Sequence, residues 1–345
     1  MIDFANLSLA QNLIIFAVTA SVVVAGSIAM TGLADVLADR TGLGEAMVGG
    51  VMLGASTSLA GTVASVSAAV QGHADLAVSN AIGGIAAQTA FLGIADIVYR
   101  RANLEHAAAS LANMTQATML LILLCVPLLA AVMPPVSFGG VHPATLALVV
   151  IYVSGVRLTS TTRRMPMWTP QLTADTRTDV PSEESAHQPR TAILAARLIA
   201  FAVVVGVAGW VITQTGLQIS DKAGISESVI GALMTATVTS LPELVTTIAA
   251  IRRGALQLAV GGIIGGNTFD VLFLALSDIA YRKGSIYNAI GGRVTFWIIL
   301  SMLMTAVLLL GLLRRERKGP GNIGFESAII LALYASAVIV QTNLG

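Results

Sequence analysis

The chain has 345 residues, of which 55% are hydrophobic, 11% are charged and 33 are glycine, and its mean hydropathy is +0.83. Soluble domains usually carry about 25% charged residues, so this composition excludes a soluble enzyme and a disordered chain. The net charge of +1 provides no global field for nucleic acid, and the single Cys125 excludes a disulfide framework. A polytopic, all-α membrane protein remains.

Runs with few or no charges recur along the chain and predict ten transmembrane helices, because one span needs about 20 residues. The run 107–156 is long enough for two helices, and a proline- and glycine-rich stretch around residues 134–143 separates them. In chain order the runs are residues 13–33, 46–72, 76–99, 107–156, 198–220, 228–251, 255–281, 294–313 and 327–345.

The polar segment 157–190 separates a first half, residues 1–156, from a second half, residues 191–345, and is predicted to be a hydrophilic loop. With both termini outside, 15 Lys and Arg residues lie on the inner side and 4 on the outer side. Positive charge is retained in the cytoplasm, so we expect the long loop to be cytoplasmic. The predicted location is the inner (plasma) membrane, with the lipid bilayer as partner.

An internal repeat joins the two halves at an offset of 182 residues. Residues 76–100 and 258–282 share 12 of 25 positions, and the register continues upstream without a gap, so the copies span 39–100 and 221–282. Five spans separate matching helices, so the copies must cross the membrane in opposite directions. Inverted repeats with broken helices at the midplane are typical of secondary transporters, although a two-fold bundle kept for packing alone is the alternative.

One acidic residue lies midway along a span in the second copy, within the sequence Thr239-Ser240-Leu241-Pro242-Glu243. Pro242 has no N–H, so a carbonyl one turn earlier is expected to lose its helical partner and face a ligand. Carboxylate, hydroxyl and carbonyl oxygens together suit a hard cation such as Ca2+ or Na+. An ionised Glu243 at that depth costs at least about 2.5–3.5 kcal/mol, which favours a functional group over a protonated structural acid.

The following span contains four glycines among residues 261–266 and then Asp270. Small residues alone indicate only helix packing, but Glu243 and Asp270 together predict one shared site. Asp96 and Asp278 match each other near span ends and are interpreted as interfacial salt bridges or caps.

These motifs resemble the alpha-repeats of the calcium/cation antiporter superfamily, which includes sodium/calcium and proton/calcium exchangers. The specific match is Thr-Ser-Leu-Pro-Glu at 239–243 followed by Asn-Thr-Phe-Asp at 267–270. The resemblance implies two inverted five-helix halves and ion ligands from both copies. Those ligands are Glu243, Asp270, Thr239, Ser240, Thr57, Ser58, Gln88 and Asn267, with Glu243 and Asp270 as the metal-binding acids. The implied helix-breaking or close-approach positions are Pro242, Gly61, Gly83, Gly84, Gly265 and Gly266.

The first copy departs from the family pattern, because Gly61 stands at the position of Glu243 and Gln88 at that of Asp270. Half of the expected carboxylates are therefore missing, which favours a site built mainly from the second copy. Gln88 still offers a neutral oxygen.

The sequence thus predicts a secondary active antiporter that exchanges Ca2+, or Na+, against H+ or Na+ by alternating access. An empty carrier is expected to take up protons at Glu243, Asp270 or both. Two alternatives stay open: a relative that moves another solute, with space for a larger one at Gly61, or a membrane sensor or scaffold whose effector is the 157–190 loop. The transported cations are substrates, no resident cofactor is expected, and the oligomeric state is not determined.

Overall fold

The computed structural model describes residues 3–41, 54–174, 176, 191–319, 321 and 323–343. Within them the regular structure is helical apart from one isolated β-bridge between Phe138 and Val141. A 3-10 turn, Phe4–Asn6, precedes the first helix, and a π-helical segment, Ile230–Thr235, lies in the second half. The α-helices are α1 Leu9–Thr41, α2 Leu59–Gln71, α3 Ala74–Val98, α4 Leu104–Ala108, α5 Leu111–Val132, α6 Pro143–Arg164, α7 Thr191–Ala223, α8 Glu227–Val229, α9 Ala236–Arg253, α10 Leu256–Asp270, α11 Leu272–Ala280, α12 Ile286–Ala289, α13 Gly292–Arg314 and α14 Phe325–Asn343.

Nine helical stretches among the described residues are long and apolar enough to cross a membrane. A shorter apolar helix, α2, belongs to the predicted span 46–72, and residues 46–53 of that span lie outside the described part of the chain. An all-helical membrane protein is therefore confirmed, and α2 is the tenth candidate span.

The long apolar run 107–156 is divided as predicted into α5 and α6. His142 caps α6 by accepting a hydrogen bond from the N–H of Ala144, and Pro143 occupies the first turn, where a missing N–H has no cost. The helix then continues to Arg164, into the segment 157–190 that the sequence assigns to a loop. Arg163 and Arg164 in its last turn favour this extension, because cations stabilise the C-terminal end of a helix. Residues 177–190 lie outside the described chain.

Helix breaks occur at different places from the one that Pro242 predicts. Pro242 lies inside α9, which does not break there. A proline removes one hydrogen bond, and packed neighbours in a membrane bundle allow the helix to continue. The departure from α-helical geometry lies upstream, in the π-helical segment Ile230–Thr235. Two further interruptions flank the candidate site, a bend at Ser58 before α2 and a turn at Val271 between α10 and α11.

The central helix is α3, and nearly all of its residues are buried. It packs against α2, α9, α13 and α14 and against the π-helical segment. Small residues permit such contacts from all sides. A Cβ atom on Gly83 would overlap the Cα of Ala232 in the π-helical segment, so the two backbones touch.

The repeat symmetry extends to the helix ends, where Asp96 and Asp278 act as backbone caps. The four N–H donors fall into pairs whose positions differ by the repeat offset of 182. Asp96 accepts hydrogen bonds from the N–H groups of Leu104 at 2.6 Å and Gly324 at 2.8 Å, and Asp278 accepts them from Ile286 at 3.1 Å and His142 at 2.8 Å. The cap interpretation is thereby confirmed.

The orientation is open to a direct test by labelling of introduced cysteines in a Cys125→Ser background. Phe138 precedes α6 and Met167 follows it, so these two exposed residues lie beyond opposite ends of the helix. We expect a membrane-impermeant maleimide to label Phe138→Cys in intact cells and to label Met167→Cys only after permeabilisation. The reverse pattern would contradict the predicted direction of insertion.

The close contact at Gly83 predicts a large effect from a single methyl group. Gly83→Ala should destabilise the folded protein by about 1–3 kcal/mol, because the added atom overlaps the Ala232 backbone. Gly262→Ala is the matched control, since nothing lies within 4 Å of the position that its Cβ would take and alanine favours a helix. Thermal unfolding in detergent measures both, and equal melting temperatures would refute the contact.

Candidate ion-binding site

The two repeat copies meet at a buried polar cavity of about 10 Å³, room for one water-sized species. The start of α2, the middle of α3, the middle of α9 and the α10–α11 junction form its walls. Its lining residues are Ser58, Gly61, Asn80, Gly84, Gln88, Thr239, Ser240, Glu243, Asp270 and Phe273. Most of the sequence-predicted ligands are thereby brought together at one point.

The Glu243 carboxylate is 4% exposed and lies on α9. The hydroxyl of Ser58 donates to its Oε1 at 3.3 Å, and the Thr57 hydroxyl also bonds the carboxylate. Thr57 lies behind the cavity wall, with its hydroxyl also bonded to the carbonyl of Gly54. Glu243 Oε2 has no hydrogen-bond partner among the described groups.

The Asp270 carboxylate, 2% exposed, ends α10 on the other side of the cavity. Gln88 donates from Nε2 to Asp270 Oδ2 at 2.6 Å and to the hydroxyl of Ser240 at 3.3 Å. Ser58 also contacts Asp270, so it bridges the two acids. Gln88 and Asp270 occupy equivalent repeat positions, so their direct bond places the cavity on the pseudo-two-fold axis.

Three buried acceptor oxygens in this cluster have no donor among the described groups, namely Gln88 Oε1, Glu243 Oε2 and Asp270 Oδ1. Buried polar atoms in folded proteins are nearly always bonded, so such a group of acceptors calls for a hydrogen-bond donor or a cation. Within the described residues no group of three or more His, Cys, Asp or Glu side chains has the geometry of a metal site. A cation here would therefore be bound by two carboxylates together with neutral oxygens.

Thr239 and Asn267 are both predicted ligands, but only Thr239 lines the cavity. The Thr239 hydroxyl donates to the carbonyl of Thr235 within its own helix at 3.0 Å, which leaves its oxygen lone pairs facing the cavity. Asn267 is not a cavity-lining residue. Its amide donates to the hydroxyl of Thr89 at 3.0 Å, so it joins α10 to α3 instead.

Glycines allow the helices to approach around the cavity. A Cβ on Gly84 would lie 3.3 Å from the Ser240 hydroxyl, and one on Gly266 would lie 3.2 Å from Gln88 Oε1. Gly265 has a looser environment, with Gln116 at 3.5 Å. Close approach is thus the role of Gly84 and Gly266, and α10 does not break at Gly265 or Gly266.

Phe273 was missed by sequence reasoning, and it fills the space beside Gly61. A Cβ on Gly61 would lie 3.0 Å from the Phe273 ring and 3.4 Å from the Thr239 hydroxyl. The expected space for a larger solute at Gly61 is therefore absent, because an apolar ring from α11 fills the position that a first-copy carboxylate would need. Phe273 could not be predicted because its position depends on which residues of the two copies face each other. No local motif gives that information.

Asn80 was also missed. Its amide donates to the Gly61 carbonyl at 3.1 Å and to the Ser65 hydroxyl at 2.9 Å, and its carbonyl accepts from the Thr235 hydroxyl at 2.8 Å. These bonds hold α2, α3 and the π-helical segment together beside the cavity. A buried amide within an otherwise apolar span was the available signal.

Comparisons with known proteins agree with this architecture. The family described as "Sodium/calcium exchanger protein" matches residues 11–168 and 193–343. Among solved structures, the sodium-calcium exchanger NCX_Mj is 17% identical with a TM-score of 0.61, covering 96% of this chain and 99% of that one. The H+/Ca2+ exchanger CAX is 13% identical with a TM-score of 0.61, covering 96% of this chain and 87% of that one.

A curated relative is the sodium/calcium exchanger MaX1 of Methanosarcina acetivorans, 28% identical over 134 residues. The match covers 39% of this chain and spans 38% of the relative's length. The family match, in contrast, covers both halves and both repeat copies. The chain is therefore a multi-pass membrane protein that belongs to the sodium/calcium exchanger protein family.

Proposed function

We propose that this protein is a secondary active antiporter that exchanges a small cation, Ca2+ or Na+, against H+ or Na+ at the cavity between Glu243 and Asp270. The observation that supports this proposal most directly is the set of three buried acceptor oxygens without donors around a cavity of about 10 Å³. The names of similar proteins supply the candidate ions, since they include a sodium/calcium exchanger and an H+/Ca2+ exchanger.

Charge balance supports an exchange of cations for protons. Two buried carboxylates without a bound cation are costly in a low-dielectric interior, so protons must neutralise them when the cation leaves. One divalent ion, or one monovalent ion with a proton, supplies the same compensation. Binding of a cation then displaces protons, which makes H+ a natural exchange partner.

Alternating access is supported by the interruptions beside the cavity. The bend at Ser58 precedes α2, and the turn at Val271 follows Asp270 directly, so a ligand-bearing residue adjoins each interruption. In inverted-repeat transporters such irregular backbone lies at the midplane, and one helix bundle moves against the other around it. Because the two halves are inverted copies, the state open to one side of the membrane and the state open to the other side have related geometry.

Na+ is the second candidate substrate, and a specific observation favours it. Phe273 occupies the position facing Gly61, where a first-copy carboxylate would complete the cage. A site with fewer fixed charges holds less positive charge, because Ca2+ affinity depends on the number of charged ligands. The small cavity opposes transport of a larger solute, and a sensor or scaffold role gives no account of the donor-free acceptors.

Proton release on cation binding tests the mechanism. Addition of Ca2+ or Na+ to purified protein in weakly buffered detergent should release protons from the wild type. Glu243→Gln should abolish the release, and Asp270→Asn should reduce it while leaving an oxygen of similar reach. A pH-sensitive dye or electrode measures the response.

Glu316→Gln is the control, because this partly exposed residue lies outside the cavity. It should release as many protons as the wild type. If Glu243→Gln also does so, Glu243 is a structural acid and the proposed coupling is wrong.

The Phe273 contact predicts that a second carboxylate requires two substitutions. Gly61→Glu alone should pack poorly against the ring, whereas Gly61→Glu with Phe273→Ala should raise Ca2+ affinity about tenfold or more, because it adds an opposed carboxylate. Isothermal titration calorimetry with Ca2+ measures the affinity of the single and the double variant.

Phe273→Ala alone is the matched control, since it opens the space without adding charge. Equal Ca2+ affinity in the double variant and this control, with both folded, would show that positions 61 and 243 do not share a cation site.

A further inference from the structure

Two glutamates are buried together at the end of the molecule where α13 ends and α14 begins. Glu105 lies on the short helix α4 and is 0% exposed, and Glu326 lies in the first turn of α14 and is 1% exposed. The transport cavity is lined by other residues altogether. These two carboxyl groups thus need an explanation of their own.

The two carboxyl groups lie next to each other and interact directly. Beyond a contact of each with its own backbone N–H, Glu105 Oε2 and both Glu326 oxygens have no donor among the described groups. Two ionised carboxylates are acceptors only, so a bond between them requires a proton on one. Glu105 Oε1 accepts the Ser327 hydroxyl at 3.3 Å, which leaves its Oε2 to carry that proton.

Internal symmetry shows what these positions hold when no acid is present. At the opposite end the offset of 182 places Tyr287 at the position of Glu105, Ala144 at that of Glu326 and Thr145 at that of Ser327. There the hydroxyls of Thr145 and Tyr287 lie 2.9 Å apart, a neutral pair that can always supply its own donor. The two glutamates are thus present at only one of two symmetry-related helix junctions. At the other junction the equivalent positions are occupied by neutral residues.

The charges that act on the pair are negative. Asp96 acts on both glutamates and Glu316 acts on Glu326. On the neighbouring turn Arg314 lies 3.8 Å from Glu316, and the Arg315 guanidinium donates to the carbonyls of Gln171 and His106 and to the Thr176 hydroxyl.

The other basic groups at this end lie in other contacts or at the surface. His106 bonds the Arg315 carbonyl and the Thr173 hydroxyl, and the residues Arg100, Arg101, Arg317 and Lys318 are exposed. A proton is therefore the ligand that fits.

We propose that Glu105 and Glu326 share one proton and form a proton-binding site separate from the transport cavity. Burial first, and then the charges of Asp96 and Glu326, raise the pKa of Glu105 well above its usual range. The remaining negative charge on Glu326 is stabilised by the N-terminal end of α14, where backbone N–H groups lie. This proposal does not depend on the transported ion and stands even if the chain transports nothing.

Loss of the proton leaves two adjacent carboxylates at the junction of α4 and α14. The same junction is held by Asp96, which caps both helices, and it contacts Gln171 and Thr173 of the polar segment through Arg315 and His106. Repulsion between the carboxylates weakens the packing of α4 against α14. The pair thereby makes the packing at the loop-bearing end depend on pH on that side of the membrane.

The sign of the stability effect follows from linkage. The folded protein holds a proton that the unfolded chain releases above about pH 4.3. The contribution of the pair to stability is complete below that pH and is lost as pH rises towards the raised pKa of Glu105.

Thermal unfolding of the full chain in detergent tests this from about pH 5 to about pH 9. The test uses a parent protein with Glu243→Gln and Asp270→Asn, because the two cavity acids would otherwise add a fall of the same sign. The melting temperature of this parent should fall as pH rises. Adding Glu326→Gln should remove most of that fall, because its amide donates to Glu105 at every pH. Adding Tyr287→Phe instead is the matched control: it breaks the neutral pair at the opposite end, so it should lower the melting temperature and keep the slope of the parent. Equal slopes in the parent and in the variant with Glu326→Gln would overturn the proposal.

Infrared spectroscopy provides a second measurement that does not require Glu326→Gln to be well folded. The protein with Glu243→Gln and Asp270→Asn has no carboxyl group in the transport cavity. At about pH 7 it should still show the C=O absorption of one protonated carboxyl group, shielded from rapid deuterium exchange. Absence of that absorption would overturn the proton site, whatever the transport assays show. Its presence, with no cation-driven proton release from the wild type, would uphold the proton site and reject the proposed antiport.

Discussion

Burial of uncompensated negative charge is the constraint on which the rest of this structure depends. Glu243 and Asp270 lie in the interior of a bundle surrounded by lipid, where an ionised group without a partner is costly. Hydroxyl and amide donors satisfy only part of each carboxylate, and the remaining oxygens face one small cavity. A protein with this arrangement is stable only if positive charge enters the cavity, and the proposed exchange of cations for protons meets that requirement.

Close packing of small residues makes this geometry possible. The helix α3 is buried along almost its whole length, and Gly83 and Gly84 bring its backbone against the π-helical segment and the Ser240 hydroxyl. Larger side chains at these points would separate the two repeat copies and widen the cavity. The same helix carries Gln88, so the contact that closes the bundle also positions a side chain that lines the cavity.

The two halves share a framework but differ in the charges placed on it. Asp96 and Asp278 cap equivalent helices through equivalent N–H groups. At the cavity, however, only the second copy contributes carboxylates. At the helix ends, acids replace the neutral Tyr287 and Ala144 positions on one side only. Inverted symmetry therefore sets where groups lie, and single substitutions set their charge.

The sequence by itself determined the features that composition and register encode: a helical membrane protein, two copies at an offset of 182, and the acids Glu243 and Asp270 as partners. These follow because apolar length and buried charge have local costs that any fold must meet. Only the tertiary structure decided that Pro242 leaves its helix intact, that Asn267 turns to Thr89, and that Phe273 fills the space at Gly61. Those outcomes depend on which side chains from distant helices meet, and contacts across the two copies are not written in either copy alone.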